Sequence, residues 1–96
     1  MATKEKIIAD IKNYLQTSNY PGFYIGITND VERRLFVEHN VSKQSGCWIY
    51  RKADSKSIAQ DVEEYFLDKC MQGGTGGGND DSTYVYCYQI TLYTVE

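Results

Sequence analysis

The sequence predicts a small α/β (α+β) domain, a three-stranded and mainly antiparallel sheet flanked by three helices. Three observations carry that expectation. The chain has 96 residues, 42% hydrophobic and 24% charged, which is room for one domain with a thin core and excludes a disordered chain. Apolar residues recur at helical spacing in three segments and at strand spacing in others. The segments follow one another as α-β-α-β-α-β, so the helices are expected to cover a short sheet.

Residues 4–16 (KEKIIADIKNYLQ) read as a helix, because Ile7, Ile8, Ile11 and Leu15 form one apolar stripe. Thr17 to Pro21 has turn composition. Residues 22–28 (GFYIGIT) alternate: Phe23, Ile25 and Ile27 point one way, Tyr24, Gly26 and Thr28 the other. Asn29 or Asp30 can cap a helix over 31–39 (VERRLFVEH). Asn40 to Gly46 reads as loop, and 47–52 (CWIYRK) as a short strand. Asp54 or Ser55 can cap a helix from about 56 to 70, whose apolar positions are Ile58, Ala59, Val62, Tyr65, Phe66 and Leu67. Residues 72–82 hold five of the eight glycines, too many for a regular element. Residues 84–93 (YVYCYQITLY) are β-branched and aromatic, the clearest strand of the chain.

Composition narrows the function. Cys47, Cys70 and Cys87 are odd in number and have no CxxC spacing, so neither a disulfide framework nor a zinc knuckle is expected. His39 is the only histidine, which excludes sites built on two. No apolar run is long enough to span a bilayer, which takes about 18 residues. The opening MATKEKIIADIK lacks an apolar signal core, so a cytoplasmic location is expected and a membrane partner is not. A net charge of −3 argues against strong non-specific nucleic-acid binding. That total hides an asymmetry. Residues 1–52 carry eight Lys/Arg against five acids, and residues 53–96 carry two against eight. A basic face beside an acidic site is compatible with this distribution, as is an ordinary mixed surface.

The specific signal is a constellation. Tyr24-Ile25-Gly26 is followed by Arg34, ten residues after Tyr24 and just before Leu35. Farther on, AQDVEEYFL places Ala59, Glu63, Phe66 and Leu67 on one helix. Together these resemble the second half of the signature of the GIY-YIG nucleases, over about residues 22–70. The resemblance implies that family's fold and a metal-dependent endonuclease acting on nucleic acid, expected to be DNA. It also implies Mg²⁺ or Mn²⁺ as cofactor, held by Glu63, a hard oxygen ligand. Arg34 would bind phosphate with its fixed fork of donors. Tyr24 would position or deprotonate the attacking water. Helical geometry selects the same Arg and Glu. At about 100° per residue, Arg34 and Glu63 border the packed faces of their helices, whereas Arg33 and Glu64 point to solvent.

The family opens with a Gly-Ile-Tyr strand about ten residues before Tyr-Ile-Gly, where this chain has KNYLQ on an expected helix. The C-terminal strand is expected to fill that slot in a permuted sheet, with Tyr86 or Tyr84 supplying the second tyrosine. Tyr84, Tyr86 and Tyr88 share one strand face, and simple cover of a half-exposed sheet is the competing reading. His39 lies one residue later than the family's usual histidine; it is a candidate for contacting phosphate or water, or an ordinary helix-end residue. Asn79 is the nearest counterpart of the family's asparagine, and Asp80 or Asp81 are candidate second metal ligands.

The glycine loop is no P-loop, lacking Gly-Lys-Ser/Thr; it reads as a linker, a flap or a backbone phosphate cradle. Arg34, Lys43, Arg51 and Lys52 are the expected nucleic-acid contacts. Trp48 and Tyr50 share a strand face and are read either as core or as a base-stacking pair. The alternative function is a catalytically inactive nucleic-acid- or protein-binding module on the same fold. A homodimer is one route by which so small a domain gains surface to hold DNA.

Overall fold

A computed structural model of the chain describes residues 3–16, 20–44, 46–73 and 83–94. Helix α1 spans Lys4–Leu15. Thr3 caps it, its side chain accepting the Lys6 N–H, and Gln16 ends it in the left-handed region at φ 50°. A 3₁₀ turn, Tyr20–Gly22, leads into strand β1, Phe23–Thr28. A helical segment opens at Val31, where the Asp30 carboxylate accepts the Arg33 N–H, and it runs as a π-helix over Arg33–Glu38. Strand β2 is Trp48–Lys52, helix α2 is Lys56–Asp68 and strand β3 is Tyr84–Gln89. Ser55 caps α2 by accepting the Ile58 N–H.

The three strands form one antiparallel sheet in the order β1-β3-β2. The expected pairing of the C-terminal strand with residues 22–28 is present, in a register that sets Tyr88 opposite Tyr24 and Tyr86 opposite Gly26. Across β2, Tyr88 meets Trp48 and Tyr86 meets Tyr50. As the central strand, β3 is buried on both faces from Val85 to Tyr88, which explains its unbroken apolar and aromatic run. It is shorter than the expected 84–93, because Thr91 to Thr94 close into a turn instead.

Alternation divides the core in two. On one face Phe23, Ile25, Ile27, Ile49, Val85 and Cys87 pack with Ile7 and Ile11 of α1 and Ala59, Val62 and Phe66 of α2. On the other, Tyr86 and Tyr88 pack with Val31, Leu35 and Val41, and Tyr24, Phe36, Trp48 and Tyr84 join them half-buried. The π-helix therefore covers the tyrosine face, and α1 with α2 the aliphatic one. After α2, Gln72 bridges to β1 along its outer edge, exchanging bonds with Phe23 and Ile25.

Candidate functional site

Strand register builds the site. Gly26 lies opposite Tyr86, and the phenol occupies the space a side chain there would need: a Cβ at position 26 would stand 2.5 Å from Tyr86 Cζ. Two pairs along, on the same face, Tyr24 stacks on Tyr88 with centroids 5.2 Å apart and planes 20° apart.

The π-helix supplies the groups that meet these rings. The His39 N–H bonds the Arg34 carbonyl at 2.9 Å, a step of five residues. That wider turn brings residues 34 and 39 to the same side. Arg34 Nη2 donates to Tyr86 Oη at 3.3 Å, and His39 Nε2 lies 2.9 Å from the same oxygen. His39 Nδ1 lies 3.0 Å from Tyr88 Oη. A neutral imidazole donates from one nitrogen and accepts at the other, so either tautomer satisfies both phenols. The result is a continuous chain from Tyr88 through His39 and Tyr86 to Arg34. Arg34 Nη1 also pairs with Glu38, which Arg33 holds at 3.0 Å from the other side.

Burial ranks these groups. Tyr86 and Tyr88 are fully buried and His39 nearly so, whereas Tyr24 and Arg34 reach solvent. Burial pushes the Tyr86 phenol up to about 12; the nearby Arg34 cation opposes the rise, and Tyr24 and Glu63 add to it. Tyr86 thus stays protonated at neutral pH and acts as a hydrogen-bonding post. Burial also works against the charge of Arg34, but Tyr86 and Glu38 more than compensate and hold it protonated.

Glu63 arrives from α2. It is buried, while Glu64 beside it is exposed. Burial, with a smaller contribution from the Glu64 charge, raises its carboxyl to about 7. No described residue forms a hydrogen bond or ion pair with it, and its charge is felt at Tyr86. Among the described residues there is no group of three or more His, Cys, Asp or Glu side chains able to hold a metal ion. A lone buried carboxylate nevertheless suits Mg²⁺, which keeps several waters and needs one or two protein carboxylates beside a substrate phosphate.

The other expected site residues divide. Tyr84 sits away from the cluster, edge-on to Tyr50 at 6.2 Å with Lys52 Nζ 5.7 Å from its ring centre. Lys43 lies over Phe36 at 4.9 Å. Arg51 leaves β2 on the opposite face from Tyr50 and Lys52, and binds Asp10 of α1 at 3.1 Å. Asn79, Asp80 and Asp81 lie outside the described residues. Tyr88 and Glu38 belong to the site without having been singled out. Alternation with Tyr86 was the available signal for the first, and the i,i+4 spacing from Arg34 for the second.

The chain matches no protein-family model, no curated protein and no solved structure. Among the described residues, no helix is long and apolar enough to cross a membrane.

Proposed function

We propose that this chain is a metal-dependent endonuclease of the GIY-YIG kind, with the first strand of that fold moved to the C-terminus, and that it cleaves phosphodiesters in DNA. The observation that carries the reading is the convergence of Arg34 and His39 on the Tyr86 phenolic oxygen, with the Tyr24 ring 4.7 Å from that of His39 and a buried carboxyl, Glu63, on α2. The strand register supports the permutation. Ile90 donates to the Gly22 carbonyl, so the end of β3 lies beside the start of β1. Four steps separate Tyr86 from Ile90 and two separate Gly22 from Tyr24. A hairpin turn of about four residues joining these ends would set the two tyrosines about ten residues apart, the family's spacing.

The division of labour follows exposure. Arg34, partly open to solvent, offers two N–H groups to phosphate oxygens once Glu38 yields them. Tyr24 presents its hydroxyl to the attacking water. Tyr86 and His39, behind them, are positioning residues that hold the Arg34 fork. Glu63 would hold Mg²⁺ or Mn²⁺, which when bound polarises the phosphate and neutralises charge on the leaving oxygen.

Cleavage of supercoiled plasmid and of a short single strand, with Mg²⁺, Mn²⁺ or EDTA, tests the reading. Metal-dependent nicking is expected, falling at least ~100-fold in Glu63→Gln and Arg34→Ala. Absence of cleavage on every substrate by folded wild type and by folded Glu38→Gln alike refutes it. The inactive binding module then takes its place, a reading favoured by one observation: Glu38 occupies the Arg34 guanidinium. In that case Glu38→Gln should leave the chain inert; if it instead restores cleavage, the arrangement is a catalytic one held in check.

A further inference from the structure

The tyrosine face continues past the cluster into a cleft of about 560 Å³ that the proposed chemistry leaves unused. Phe36, Trp48, Tyr50 and Tyr84 give it aromatic walls. Trp48 and Tyr50 project from the same face of β2, with ring planes 8° apart and centroids 6.3 Å apart. Phe36 meets Trp48 edge-on at 5.0 Å. Rings that serve packing alone turn inward, yet Tyr50 is 42% exposed. Two cations border the aromatics: Lys43 over Phe36 and Lys52 beside Tyr84. Asp30 and Glu32 stand on the helix wall, Glu32 3.9 Å from Lys43. The cleft thus offers flat π-faces on the strand side, cations at its margins and acids on one wall only.

We infer that this cleft holds an unpaired base of single-stranded nucleic acid, stacked on Trp48 and Tyr50. The flanking phosphates run along the strand side, toward Lys52 and away from Asp30 and Glu32. Parallel rings, Tyr50 exposed and Trp48 half-buried, beside lysines are what base stacking requires, and any base has a face to offer them. The assignment builds on the nuclease reading in one respect: Tyr84 and Tyr86 are neighbours on one face of β3, so a strand seated in the cleft leads on to Arg34. The preferred substrate then carries an unpaired segment beside the bond that is cut.

Trp48 is the only tryptophan, so its fluorescence reports the cleft directly. The titrants are oligodeoxyadenylate of about ten nucleotides, an abasic strand of equal length and a blunt duplex, all in EDTA so that binding is separated from cleavage. The single strand is expected to quench Trp48 saturably, and the abasic strand to bind about tenfold more weakly. Tyr50→Ala, at an exposed position, is expected to weaken the single strand about tenfold with the fold checked by circular dichroism, and Glu64→Gln, on the exposed side of α2, not at all. Unchanged affinity in Tyr50→Ala, equal binding of the abasic strand, or equal quenching by duplex overturns the assignment. Cleavage without quenching retains the nuclease and removes the base site. Quenching without cleavage does the reverse.

Discussion

Burial raises the Glu63 carboxyl to about 7 in the folded chain from an ordinary 4.5, and the like charge of Glu64 adds to the rise. A raised acid favours folding in its protonated form. Its contribution is full below about 4.5 and is lost as pH rises through about 7. Glu63→Gln should therefore melt above the wild type at pH 8, by on the order of 5 °C, and alike at pH 4.5; parallel melts across that range check the sign. Mg²⁺ or Mn²⁺ requires the carboxylate, so its stabilisation of the wild type should grow from pH 5.5 to 8 and vanish in Glu63→Gln. At Gly26 the constraint is steric. Gly26→Ala drives a methyl into the Tyr86 phenol and should cost about 1–3 kcal/mol by denaturant titration, displacing the oxygen on which Arg34 and His39 converge. At this scale Arg34 and Glu63 were legible from helical spacing, because each borders its helix's packed face. The burial that lifts Glu63 was not legible, since desolvation depends on what another element lays over it.

Residues 31–39 read as an α-helix and fold with a π-turn, and that difference decides the place of His39. At α-helical spacing residue 39 lies about 140° from residue 34 and would miss Tyr86. A five-residue step encloses one residue more per turn and restores the alignment. Val37, 74% exposed, lies within the π-helix. Its deletion is expected to return the helix to α spacing with Arg34 and His39 still on one side, and to leave the melting temperature within a few degrees. An alanine inserted after Val37 should instead lower it and break the His39–Tyr86 contact, which histidine NMR reads. The element existed in the sequence pattern, but its hydrogen-bond period did not. Apolar spacing over nine residues barely separates the two helices, and Leu35 within the wider turn and Val41 after it both pack on the tyrosine face.

At the scale of the whole molecule β3 is the keystone, since β1 and β2 meet only through it. A chain ending at residue 83 should be unfolded by circular dichroism. A circular permutant that joins the end of β3 to the start of β1 through a short turn should fold with the same sheet, because those ends already lie together. Local patterning by itself determined the three strands and three helices, which residues share each face of β1 and β3, and the helix positions of Arg34 and Glu63. These depend on periods of 2 and 3.6 residues, which a sequence carries in plain form. Tertiary structure alone decided the rest: the central place of β3, Tyr86 rather than Tyr84 over Gly26, His39 between two phenols, and Arg51 turned away to Asp10. Each of these is a contact between residues distant in the chain. Strand order and register set such contacts, and no local period encodes them.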